Sequence, residues 1–145
     1  MPDFGLPAWM VWALLSAAFA ALTAIFAKVG VASIDPDLAT FIRTVVILLV
    51  LGGILVLRGR FQPLASISSR TYAFLALSGM ATGASWVCYF RALQVGDAAR
   101  VAPVDKLSVV LVAVFGVLFL GEQLALHQWL GVLLITAGVV LVAVP

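Results

Sequence analysis

The sequence predicts an all-α integral membrane protein built from five transmembrane helices. Three observations predict it. Hydrophobic residues make up 65% of the 145-residue chain and charged residues only 10%, far from the roughly one-half and one-quarter of soluble domains. A soluble domain of this length still exposes about a third of its unfolded surface, so water cannot be the solvent for so apolar a chain. The apolar residues also fall into five runs of roughly 20, the length that crosses a ~30 Å hydrocarbon core as a helix.

The first run, 8–31, begins with Trp9 and Trp12 and carries Lys28 in its last turn. It is expected to be retained as a helix: Asp3 precedes it with no Lys or Arg, and it outruns the apolar stretch of a signal peptide. Ser33-Ile34-Asp35-Pro36 breaks it, with Asp35 suited to an N-cap and Pro36 to the first helical position. The second run, 36–57, holds Arg43 two turns inside. The 58–70 connection is the most polar, with Gly59, Gln62, Pro63 and serines at 66, 68 and 69. The third run, 71–93, is the least hydrophobic and is rich in small and hydroxyl residues. Gly96 ends it and Asp97 is placed to cap the fourth, 98–120. Gly121-Glu122-Gln123 turns the chain into the fifth, 126–143. Residues 1–145 thus read as one membrane domain, with no soluble domain and no internal repeat. Five crossings place Trp9, Tyr72 and Trp129 on one side, as interfacial anchors require.

The net charge of +2 comes from eight scattered Lys and Arg, which make no nucleic-acid footprint. The single cysteine, Cys88, excludes an intrachain disulfide, and without a Cys/His cluster no metal or cofactor is expected. Ser85 has no histidine near it, the sole histidine, His127, lies beyond a different helix, and no phosphate-loop pattern occurs. No enzyme is expected.

Several segments together resemble the EamA family of the drug/metabolite transporter superfamily, in its short single-repeat bacterial and archaeal form. They are Lys28-Val29-Gly30, Ala39-Thr40-Phe41-Ile42-Arg43, 85–93 (SWVCYFRAL), 101–108 (VAPVDKLS), and Leu120-Gly121-Glu122 followed by Gly131. The resemblance covers nearly the whole chain. It implies a five-helix bundle that forms one repeat of an inverted-repeat transporter, since longer members carry two such repeats in opposite orientations. The other half then comes from a second copy in inverted orientation or from a related five-helix chain. A central path between the halves, lined by the first four helices, would work by alternating access. The implied location is the cell membrane, multi-pass, the inner membrane in a prokaryote. No Asp or Glu lies in the first helix, so the chain lacks the central carboxylate of the small multidrug exporters.

The basic residues allow both orientations. Arg58, Arg60 and Arg70 lie on the N-terminal side; Lys28, Arg91 and Arg100 lie near the opposite one, with Arg43 and Lys106 deeper in that same half. So even a vote predicts dual topology and an antiparallel homodimer. The alternative is one orientation, paired with a related chain.

Lys28, Arg43, Arg91 and Lys106 are the candidate basic pathway, able to receive a carboxylate or phosphate; Asp105 is a titratable candidate beside them. The alternative is that these cations snorkel, or pair with Asp35, Asp37, Asp97 and Asp105. On the third helix Ser78, Thr82, Ser85 and Tyr89 form a hydroxyl stripe, with Trp86 and Tyr89 as stacking surfaces. Gly79 and Gly83, like Ala17 and Ala21 on the first helix, suit close helix packing. Pro103 is the candidate gating bend. The basic excess points to a secondary transporter or exporter of a small anionic or zwitterionic metabolite. A structural or regulatory membrane subunit and a lipid flippase are the alternatives.

Overall fold

A computed structural model describes residues 7–144, and among them every regular element is helical. Helix α1 runs Ala8–Val31, α2 Pro36–Arg58, α3 Ser69–Val95, α4 Ala98–Asp105, α5 Ser108–Leu120 and α6 Leu126–Ala143, with a 3₁₀ turn at Leu64–Ser66. Among the described residues five spans are long and apolar enough to cross a membrane, with α4 and α5 together making the fourth. In no span is more than 11% of the apolar window buried within the chain. Lipid or another polypeptide must therefore cover these faces.

Local chemistry sets the boundaries. The Asp35 carboxylate accepts from the Asp37 and Leu38 amides at 2.9 and 3.1 Å, and Pro36 opens α2. Two orphan donors are satisfied in this way. Gly59 ends α2 with φ of 58° and Gly121 ends α5 with φ of 68°, left-handed backbone that glycine adopts without Cβ strain. Asp97 stands at the N-cap of α4 without a side-chain capping bond, so the cap expected there is positional only.

The fourth span, expected as one helix, is interrupted at Lys106 and Leu107. Pro103 offers no amide to the turn before it, and its ring crowds that turn. The chain tightens just beyond: the amides of Lys106, Leu107 and Val109 bond the carbonyls three residues back, of Pro103, Val104 and Lys106, at 2.9–3.0 Å. Such i→i+3 bonds make a tight turn between α4 and α5.

The chain divides into two compact units, Ala27–Gln94 and Met1–Phe26 with Val95–Pro145. In the first, the buried side chains are Ala27, Val31, Ala39, Thr40, Phe90 and Leu93. They come from the end of α1, the start of α2 and the end of α3, so the tight packing lies where those three ends belong. In the second, α4 and α5 both lie against α6. Arg100 Nη2 donates to the Ala143 carbonyl at 2.9 Å and so satisfies one orphan acceptor at the end of α6.

Candidate functional site

The polar chemistry of the Ala27–Gln94 unit gathers in two layers between α2 and α3. Arg43 lies seven residues past Pro36, and Trp86 nine before Val95. At 1.5 Å per residue, and with each helix centred on a ~30 Å core, both stand about 8 Å below the hydrocarbon boundary. Arg91, four residues from the end of α3, and Asp37, one residue into α2, fall within about 1 Å of that boundary by the same reckoning.

In the inner layer the Arg43 guanidinium carbon sits 4.1 Å from the Trp86 ring centroid and 5.6 Å from that of Phe90. Both distances are within cation–π range. Trp86 and Phe90 share one face of α3 because they are four residues apart. Phe90 is buried and forms the floor, while Trp86 and Arg43 are half-buried. Among the described residues Arg43 has no carboxylate within ion-pair distance and donates no hydrogen bond.

The outer layer is an ion pair. Arg91 Nε donates to Asp37 Oδ1 at 3.1 Å and Nη2 to Oδ2 at 2.7 Å, the forked geometry that suits guanidinium and carboxylate. The two side chains remain 61% and 51% exposed. Lys28 Nζ donates to the Leu93 carbonyl at 2.7 Å, and Gln94 Nε2 to the Ile34 carbonyl at 3.2 Å. These bonds tie the end of α1 and the turn after it to the last turn of α3.

The remaining candidate residues separate. Ser85 is exposed and Tyr89 half-buried; Thr82 Oγ1 donates to the Ser78 carbonyl at 2.8 Å, so its proton is committed to its own helix. Asp105 and Lys106 belong to the other unit, where Lys106 Nζ meets Asp105 Oδ2 at 3.0 Å, just after Pro103. The alternative of acid pairing therefore describes Arg91 and Lys106 but not Arg43. A Cβ at Gly79 or Gly83 would meet nothing within 4 Å, and Ala17 and Ala21 are exposed, so neither unit by itself packs closely at these positions. Sequence reasoning missed Phe90. Its signal was the four-residue step from Trp86 toward a buried face.

The EamA-like transporter family matches residues 7–144. The chain is also similar to a Sinorhizobium protein named as an uncharacterized transporter in the cobO 3' region, with 67% identity over 136 residues. The match covers 94% of this chain and 96% of that one. No solved structure matches significantly.

Proposed function

The chain belongs to the EamA-like transporter family and is a multi-pass membrane transporter, and from that premise we propose that it carries a small anionic or zwitterionic metabolite by alternating access, as an antiparallel homodimer in a bacterial inner membrane. The observation that carries the substrate reading is Arg43, a cation inside an apolar span that rests on aromatic rings and faces no carboxylate. A charge at the bilayer centre costs about 2.5–3.5 kcal/mol on insertion scales, and intramembrane cations ordinarily face protein or a wet path. A desolvated cation–π contact returns roughly 2 kcal/mol, which leaves the in-plane donors for water and then for substrate. The Arg91–Asp37 pair lies at the mouth of that path. Its exposure makes it a contact that opens at little cost. On this reading Pro103 and the break beside Asp105 and Lys106 supply a bend in the fourth span.

The dimer reading is supported by the odd number of spans and the near-even spread of Lys and Arg between the two sides. Inverted halves put the substrate path at the interface between them.

The test is accessibility combined with flux. In a Cys88→Ser background, Arg43→Cys should react with a membrane-impermeant thiol reagent, and proteoliposomes should accumulate solute from a pool of small organic acids and amino acids. A dry residue 43, together with no solute above that in empty liposomes, would favour a structural subunit and overturn the transporter mechanism. A C-terminal reporter scoring on one side alone would overturn the antiparallel homodimer.

A further inference from the structure

We propose that the ligand recognised at Arg43 is an organic monocarboxylate with a flat apolar body, its carboxylate forked onto the free edge of the guanidinium and its body laid beside Trp86. This rests on the transporter reading and narrows it from anions and zwitterions to one class.

Geometry selects the carboxylate. The Trp86 ring lies 4.1 Å and the Phe90 ring 5.6 Å from the guanidinium carbon, and no described acceptor or carboxylate takes the Arg43 N–H groups, so its donors stay open. The edges carry N–H donors in a fixed fork, which a planar carboxylate accepts two at a time. Arg91 shows the same fork already filled by Asp37. The site that remains for an external carboxylate is the deeper one.

Charge selects a monoanion. Within 27–94, the cations toward this end are Lys28, Arg43 and Arg91, and the anions are Asp35 and Asp37. The excess is one positive charge. Asp37 is engaged by Arg91, Asp35 by the first amides of α2, and Lys28 donates to the Leu93 carbonyl, so among the described residues no carboxylate stands against Arg43. One carboxylate neutralises it. A phosphate carrying about two charges would leave a net negative group in an apolar span, where uncompensated charge is costly.

The surroundings select the body. A zwitterion brings an ammonium, yet the Trp86 face is already taken by Arg43 and Asp37 is already paired. A polyhydroxylated body needs donors and acceptors, and the Thr82 proton is committed to Ser78. What lies against Arg43 is the ring surface of Trp86 and Phe90, with the Tyr89 phenol, among the described residues, as the one polar group within electrostatic reach.

The experiment uses the full chain in nanodiscs with Trp9, Trp12 and Trp129 changed to Phe, so that Trp86 is the sole indole reporter. Four probes are titrated: 3-phenylpropionate, its amide, phenylalanine and inorganic phosphate. A saturable change in Trp86 emission is expected with 3-phenylpropionate alone. Arg43→Gln should weaken it by roughly tenfold or more, while Arg60→Gln, just beyond the far end of α2, should leave it within about twofold. Arg43→Lys keeps the charge without the fork and should fall between them, which keeps the test decisive if Arg43→Gln does not fold. Equal response to the amide, the zwitterion or phosphate, or unchanged affinity in Arg43→Lys, would overturn the proposal. Failure here with solute flux intact removes only the substrate class; binding here without flux of any solute removes only the transport reading.

Discussion

Arg43 and Arg91 are the same residue type, both belong to the α2–α3 unit, and both lie toward the same helix ends, yet their surroundings differ. Arg91 sits at the boundary with a carboxylate in its fork. Arg43 sits about 8 Å deeper by helix length, with two rings within cation–π distance and no acid. The difference teaches that position along the helix axis decides what a cation does. Near water an ion pair is cheap and weak. Within the apolar layer a guanidinium needs either permanent shielding or a transient counter-ion, and the second is a means of selecting substrates.

The comparison breaks most readily at its floor. Phe90 is 3% exposed and supports the inner layer. Replacing it with Ala removes packing contacts and leaves a cavity, but lipid removes the water-transfer term. Phe90→Ala is therefore expected to cost about 2–3 kcal/mol, below the ~3–5 kcal/mol of soluble cores. Unfolding in mixed micelles checks it. A loss no greater than that of Phe74→Ala, a 61% exposed position on the same helix, would mean that the inner layer is not a packed unit.

A double-mutant cycle sharpens the comparison. Arg43→Gln and Trp86→Leu should couple by about 1–2 kcal/mol, the range of a partly desolvated cation–π contact. The coupling should change less with ionic strength than that of an exposed ion pair, because its partner is a neutral ring rather than a second charge. A coupling near zero would mean that Arg43 leaves the ring and spends its time in water.

Most of the helical plan was legible in the sequence because length and hydropathy are the physics of spanning. The first and last spans begin and end where expected, and Asp35 with Pro36 marks the start of α2. Pro103 announced a disturbance in the fourth span, but not that the backbone would tighten at Lys106 and Leu107. The partners of the cations were not legible. Asp37 and Arg91 are 54 residues apart, and only the placement of α2 against α3 decides that Asp37 meets Arg91 while Trp86 meets Arg43. Beside the hydroxyl stripe from Ser78 to Tyr89, the rings on Arg43 are Trp86 and Phe90, one step around the helix, with Tyr89 within electrostatic reach of the same cation.

The smallest expected effect is the other half of the comparison. Asp37→Asn and Arg91→Gln each remove one charge from a pair whose side chains are more than half exposed. Whichever charge remains can reach water or headgroups, so neither single change strands an ion, and the attraction lost is what a high-dielectric boundary permits. Forked geometry adds direction to the pair, but mobile ions within a Debye length of ~8 Å at physiological salt compete for both members. The Asp37–Arg91 coupling, measured by unfolding in uncharged bicelles, should be detectable at low salt and vanish as salt is raised. A large coupling that ignores salt would mean that the Arg91–Asp37 pair is shielded from water and mobile ions. The two arginines would then form one continuous charged seam, and a monocarboxylate would no longer be the anion that balances it.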